Sequence, residues 1–126
     1  KERLVSILEE ETEDTPNTRM VIRSADQYMK QHFTENLSLQ GMADRFAMSP
    51  GYFSKLYAKE IGCNYIERLT ELRIDRAKQL LRETNDHIYE IANAVGYRKT
   101  RHFSEIFRRN TGINPIDYRE QNQPLG

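Results

Sequence analysis

The strongest constraint on how this chain can fold is that the stretch from Leu39 to Arg119 is written twice. Leu39, Met42, Ala43, Phe46 and Met48 reappear forty-nine positions later as Ile88, Ile91, Ala92, Val95 and Tyr97. Phe53, Leu56, Tyr57, Lys59, Gly62, Asn64 and Ile66 return at a spacing of fifty as Phe103, Ile106, Phe107, Arg109, Gly112, Asn114 and Ile116. The one-residue slip falls between the two blocks, where a turn tolerates an insertion that a packed helix does not. Each copy reads as short helix, tight turn, second short helix. No segment carries the two-residue period of a strand. The expected fold is therefore all-α, with two helix-turn-helix subdomains joined by a long linker helix.

Local signals set the boundaries. Leu4, Ile7 and Leu8 lie at helical spacing among glutamates over residues 2 to 13, and the pattern breaks at Thr15 to Asn17. Residues 1–17 are expected to be an acidic helix or linker from an upstream region. Val21, Ile22, Ala25, Tyr28, Met29 and Phe33 then form a one-sided stripe, which predicts a helix over Thr18 to Phe33. Ser38 caps a helix over Leu39 to Phe46. Ser49 followed by Pro50 starts the next, which runs to about Lys59 and stops at Gly62. Asn64 caps a long helix to about Arg82, with Glu67 as its capping-box partner and Ile66, Leu69, Arg73, Ala77, Leu80 and Leu81 facing inward. Nineteen residues at about 1.5 Å each make a rod of roughly 28 Å. Asp86 is expected to cap a helix through Val95, and a further helix runs from Lys99 to Arg109 with Gly112 closing it. Asn114 and Pro115 open a last helix carrying Tyr118 and Arg119, after which Gln121 to Gly126 look frayed. The subdomains are thus expected at 18–63 and 84–121, with the linker helix at 64–83 and a tail at 122–126.

Composition excludes several classes. No apolar run approaches the roughly 18 residues that span a bilayer, so a membrane role has no support. No basic stretch followed by an apolar one opens the sequence, which begins at Lys1 and reads as a piece of a longer protein. The lone Cys63 has no partner for an internal disulfide, in keeping with a reducing cytoplasm. His32, His87 and His102 stand far apart with no cysteine pair beside them, which argues against a zinc site. Neither a glycine-rich phosphate loop nor a nucleophile elbow is present. An enzyme is not expected, and neither is a cofactor.

Nineteen basic residues balance nineteen acidic ones, yet the charges are not evenly spread. Residues 1 to 15 hold two basic and six acidic groups, which leaves seventeen basic against thirteen acidic in the remainder. Arg98, Lys99, Arg101, Arg108 and Arg109 crowd one short stretch against Glu105 alone. In a helix-turn-helix the second helix offers its N-terminal outward residues to base edges in the major groove of DNA. In the first copy Phe53, Leu56 and Tyr57 face home, leaving Gly51, Tyr52, Ser54, Lys55 and Lys59 outward. Gly51 permits close backbone approach, Ser54 can bond several base edges, and Lys55 can reach guanine or phosphate. In the second copy Phe103, Ile106 and Phe107 face home. Arg101 suits a two-pronged contact to guanine, Thr100 a thymine methyl, and Ser104 lies on the same outward face. Glu105 could accept from cytosine or hold a neighbouring arginine. Ser49, Tyr52, Lys59, Lys99, His102, Arg108 and Arg109 are expected on phosphates. For every one of these charges the plainer reading is a solvated helix face.

The second copy, IYEIANAVGYRKTRHFSEIFRRNTGINPIDYR from Ile88 to Arg119, resembles the C-terminal signature of the AraC/XylS family of bacterial transcription regulators. The matching positions are Glu90 to Ala92, Val95 to Tyr97, Phe103, Ser104, Phe107 to Arg109, Gly112, Pro115, Tyr118 and Arg119. The first copy, with SPGYFSKLYAKEIG at Ser49 and RIDRAKQLL at Arg73, is similar to the family's first motif, and together the resemblance covers about Val21 to Arg119. It implies two recognition helices held by the linker helix for successive major grooves. The base-reading positions carry over onto Gly51, Ser54 and Lys55, and onto Thr100, Arg101, Ser104 and Glu105, although the family often has a basic residue at the last. The implied partners are double-stranded promoter DNA, RNA polymerase, and an upstream sensory, receiver or dimerisation domain absent from this chain. The segment Val21 to Leu81 looks most like the output domains attached to two-component receivers. The competing reading is a protein-interaction module whose helix-turn-helix units dock a partner, for which the neutral overall charge argues.

Overall fold

The structure, a computed structural model, describes residues 15–124. The expected acidic helix over residues 2 to 13 lies outside the described residues, as does the end of the tail. Seven α-helices and no strand occur among the described residues: α1 Pro16–His32, α2 Leu39–Arg45, α3 Pro50–Ile61, α4 Tyr65–Glu83, α5 Ile88–Ala94, α6 Thr100–Thr111 and α7 Pro115–Asn122.

Three of these helices start the same way, with a capping side chain followed by proline. Thr15 Oγ1 accepts from the Thr18 amide at 3.1 Å, Ser49 Oγ from Tyr52 at 3.3 Å, and Asn114 Oδ1 from Asp117 at 2.8 Å. Proline fits the first helical position because its missing N–H has no partner there anyway. The Thr15–Pro16 pair thus begins α1 two residues before the expected Thr18, where the sequence had read as a break. A second boundary also moves. Asp86 does not cap α5; His87 does, because the Glu90 carboxylate accepts from the His87 amide at 2.8 Å. The C-terminal end is better tied than expected, since α7 reaches Asn122 and the Gln123 carboxamide donates to the Thr84 carbonyl at 2.8 Å.

The chain divides into two compact units, one made of residues up to His32 with Leu37–Leu69, the other of Phe33–Asn36 with Thr70 onward. In the first, α1 and α2 pack on α3. Ile22, Ala25 and Met29 of α1, Met42 and Ala43 of α2, and Phe53, Leu56 and Tyr57 of α3 are all buried. Tyr65 and Leu69, from the start of α4, complete this core, and the Tyr65 ring lies edge-on to Phe53 and Tyr57. Among the described residues Asp26 is its one buried charged side chain. Its carboxylate accepts from the Tyr57 hydroxyl at 2.5 Å and from Arg68 Nε at 3.2 Å, so the charge is paired as burial requires.

The second unit repeats the plan around Ile91, Ala92, Val95, Tyr97, Phe103 and Phe107. The duplication in the sequence is thus a duplication of burial. Met48 and Tyr97 match at 9% and 8% exposure, and Phe53 and Phe103 are both fully buried. Truncating either phenylalanine should cost about 3–5 kcal/mol. Gly62 and Gly112 end α3 and α6 in the left-handed conformation, at φ 97° and 90°. Ile66 and Ile116 match too, but on the outside, at 56% and 57% exposure. Ile66 was expected inward. Tyr65, one position and about 100° around the helix, takes that place instead.

A further correspondence has a spacing of fifty-two. Ile22, Ala25 and Met29 in α1 answer to Ile74, Ala77 and Leu81 in α4, all buried in their own units. Helix α4 therefore closes the first core with Tyr65 and Leu69 and opens the second with the later set. Arg119 of α7 and Gln123 just after it anchor the second unit by donating to the Leu81 and Thr84 carbonyls at the end of α4, and Arg82 Nη1 donates to the Tyr118 hydroxyl at 2.9 Å.

Candidate nucleic-acid interface

Helices α3 and α6 are the second members of the two helix-turn-helix units, twelve residues each. In α3 the buried side chains are Tyr52, Phe53, Leu56 and Tyr57, a stripe recurring at i, i+1, i+4 and i+5. This leaves Gly51, Lys55 and Lys59 exposed and Ser54 half-buried, with Ser49 exposed at the cap. Nothing lies within 4 Å of where a Gly51 Cβ would be, so close approach to a ligand backbone is open there. Tyr52 is a correction. Expected on phosphate, it is only 6% exposed, because it lies one turn before Leu56 on the same apolar stripe. Its counterpart in the second copy, His102, is polar and stays outside.

Helix α6 buries Phe103 and Phe107, with Ile106 partly covered. Its polar face is the more open of the two. The Arg101 side chain is 92% exposed, and His102, Glu105, Arg108 and Arg109 are exposed as well, while Thr100 and Ser104 are half-buried. Lys99 is the N-cap residue and its side chain makes no capping bond. Arg101 Nε lies 3.9 Å from Glu105 Oε2. A pair so exposed contributes about 0–1 kcal/mol, so either partner can be redirected by a ligand. Within its own unit, each helix directs the positive end of its dipole toward its own N-terminal residues.

The two faces are not copies of each other. At equivalent positions Gly51 stands against Arg101 and Lys55 against Glu105, and only Ser54 and Ser104 agree. A short uncharged surface is thus matched by a long cationic one, and a cation by an anion. Arg73, expected on the inward side of the long helix and at the start of the RIDRAKQLL motif, is partly buried. Its guanidinium in fact donates to the Phe33 and Glu35 carbonyls, both at 2.7 Å, and stacks 5.2 Å from the centre of the Tyr97 ring. The sequence signal was there, in an arginine placed on an otherwise apolar stripe.

Two duplicate cores, each presenting a helix with a polar N-terminal face, define a tandem helix-turn-helix domain, and a sequence model described as a helix-turn-helix domain matches residues 42–121. The chain belongs to the AraC/XylS-type helix-turn-helix family, as a DNA-binding domain of the kind found at the C-terminus of its members. It is 32% identical over 108 residues to the HTH-type transcriptional activator RhaS of Escherichia fergusonii, covering 86% of this chain and 39% of RhaS. The C-terminal domain of AraT, a response regulator from Geobacillus stearothermophilus, superposes with a TM-score of 0.81 at 34% identity, covering 88% of this chain and 89% of that one. The DNA-binding domain of AdpA, a global transcriptional factor solved with a target DNA, shares the fold at a TM-score of 0.75 and 24% identity, over 79% of this chain and 90% of that one. The chain spans less than half the length of the curated relatives it matches.

Proposed function

We propose that this domain reads double-stranded promoter DNA by placing α3 and α6 in successive major grooves, as the output part of a longer transcription regulator. One observation carries the reading: each helix buries its own apolar stripe and leaves accessible, over its first two turns, the residue types that bond base edges. Gly51, Ser54 and Lys55 serve in the first reader, and Thr100, Arg101, Ser104 and Glu105 in the second. Ser49, Lys59, Lys99, His102, Arg108 and Arg109 meet phosphates and fix the register. The nineteen residues of α4 support the two-groove arrangement, since a helix of that length measures about 28 Å and successive grooves recur about every 34 Å. Subdomains at 18–63 and 84–121, with 64–83 between them, are the units of this reading. Because the two faces differ residue by residue, the two half-sites differ too, and the operator is not a palindrome.

RhaS is described as an activator and AraT as a response regulator. By that likeness the present domain acts on RNA polymerase's access to a promoter, inside a cytoplasmic protein whose upstream part is a receiver or sensory domain. The test is selection of bound fragments from the source genome, followed by titration of a selected duplex at several salt concentrations. Steep loss of affinity with salt and a selected site of two unlike halves, one helical turn apart, are expected. A flat, weak response would refute DNA reading and favour docking on a partner protein.

A further inference from the structure

The second unit contains a cleft of about 520 Å³, lined by Thr34, Asn36, Arg73, Asn93, Gly96, Tyr97, Arg98 and His102, of which only His102 has a part in the DNA reading above. Two arginines and a histidine line it and no carboxylate does. One wall is built firmly. Arg73 pins the Phe33 and Glu35 carbonyls and lies under the Tyr97 ring, so the segment 33–36 is fastened to the turn between α5 and α6. Gly96 makes this closure possible, since a Cβ there would stand 3.0 Å from both the Arg73 guanidinium and the Thr34 carbonyl oxygen. The other lining groups are uncommitted. Among the described residues the side chains of Thr34, Asn36, Asn93 and Arg98 make no hydrogen bond or ion pair, and His102 makes only an edge contact with the Tyr97 ring, 5.6 Å between centres. Apart from Arg73, whose guanidinium is engaged by the two carbonyls, the donors and positive charge gathered here bond no acceptor among the described residues.

We propose that this cleft seats a phosphodiester of the DNA strand bordering the groove that α6 enters. Arg98 supplies the charge, while Asn36, Asn93 and His102 supply further donors. The inference rests on the DNA reading above and adds to it a contact from the segment preceding the first helix-turn-helix. Size and place select the ligand within the oxyanion class. At about 520 Å³ the cleft is roomier than a bare tetrahedral oxyanion needs, and a phosphate with its flanking sugars suits it better. Arg98 and His102 also bracket Lys99 to Arg101, so a strand lying along the start of α6 passes the cleft mouth.

The experiment compares the wild-type chain with Arg98→Gln and Asn36→Ala on a selected duplex and on a scrambled duplex of equal length, across a salt series. Both altered side chains are exposed and unbonded, so the fold is retained. Arg98→Gln should weaken both duplexes by the same factor and reduce the slope of log affinity against log salt by about 0.9. Asn36→Ala should weaken both a few-fold with the slope intact, because it removes a donor and no charge. A scan of single methylphosphonates should then find one phosphate whose neutralisation weakens the wild type but leaves Arg98→Gln unaffected. An unchanged slope, or no such phosphate, overturns the assignment. Shifts of the Asn36 and Asn93 side-chain amides with inorganic phosphate, alongside duplex binding indifferent to Arg98→Gln, would make the cleft a free-oxyanion site and equally overturn it. Failure of the wild type to bind any duplex in a salt-dependent way would instead sink the DNA reading itself.

Discussion

Gly96 and Ala47 occupy the same turn position in the two copies, forty-nine residues apart, and both have positive φ, at 107° and 58°. Exchanging their side chains should therefore have opposite effects. In Gly96→Ala the backbone is forced into a region that side chains avoid, at roughly 1–3 kcal/mol, while the stiffer unfolded chain returns about 0.4–1. The new methyl would also stand 3.0 Å from the Thr34 carbonyl oxygen and from Arg73 Nε and Cζ. Relieving both contacts means moving Arg73 and the backbone at Thr34 by a few tenths of an ångström, weakening charge-assisted bonds of about 1.5–3 kcal/mol each. A net loss of about 2–4 kcal/mol follows. Ala47→Gly relieves a left-handed alanine worth roughly 1–2 kcal/mol against an entropic penalty of about 0.5–1, for a gain of about 0.5–1 kcal/mol. Urea unfolding followed by helical circular dichroism measures both. Hydrogen exchange at the Phe53 and Phe103 amides reports which unit responds. A loss under about 1 kcal/mol for Gly96→Ala, or any destabilisation by Ala47→Gly, would refute the reasoning.

Arg101→Ala should lose roughly 1–3 kcal/mol on the selected duplex and relax preference at one base pair; an equal loss on scrambled DNA would make Arg101 a phosphate contact. Arg108→Ala should weaken all duplexes alike and lower the salt slope by about one unit, and an unchanged slope removes it from the backbone set. Asp26→Ala leaves the Tyr57 hydroxyl and the Arg68 guanidinium without their shared acceptor and should cost about 3 kcal/mol in urea unfolding; a cost below about 1 would mean that the network does not hold the first unit together. Burial, reinforced by the bond to Asp26, pushes the Tyr57 hydroxyl well above its usual range, and burial raises Tyr97 against the opposing pull of Arg73. The fold favours the protonated form of each, whereas the unfolded chain releases these protons near pH 10, so this contribution is intact below about pH 10 and is lost as pH rises further. Ultraviolet titration should find Tyr57 ionising only as the helices unfold; its ionisation near pH 10 with the helices intact would contradict this.

The duplicated pattern made the helix-turn-helix units legible because each apolar position was seen twice, and a residue such as Phe53 is hard to misread when Phe103 repeats it. Errors fell where a single local cue had to decide. The Thr15–Pro16 pair is the same start signal as Ser49–Pro50, but with an acidic segment before it the pair resembled a break. Asp86 and His87 are adjacent candidates for one cap, and only the Glu90 carboxylate chooses between them. Tyr52 and Ile66 were misplaced for a shared reason: a neighbour one residue away differs by about 100° in direction, and spacing alone does not say where the edge of a stripe lies. The cleft at Arg98 was invisible because it joins residues 34–36 to the turn at 96–98, and no periodicity links segments so far apart in the chain.

Helix α4 belongs to both copies at once. Its first turns are the counterpart of α7, and its buried Ile74, Ala77 and Leu81 are the counterpart of α1. The tandem is therefore overlapped rather than concatenated, like two words sharing a syllable, and no single scission yields two whole copies. A break between Leu69 and Thr70 would divide the shared piece, and it would also leave Phe33–Asn36 on the wrong fragment. Dissecting such a molecule into independent modules would require duplicating the common helix, so that each half could keep one.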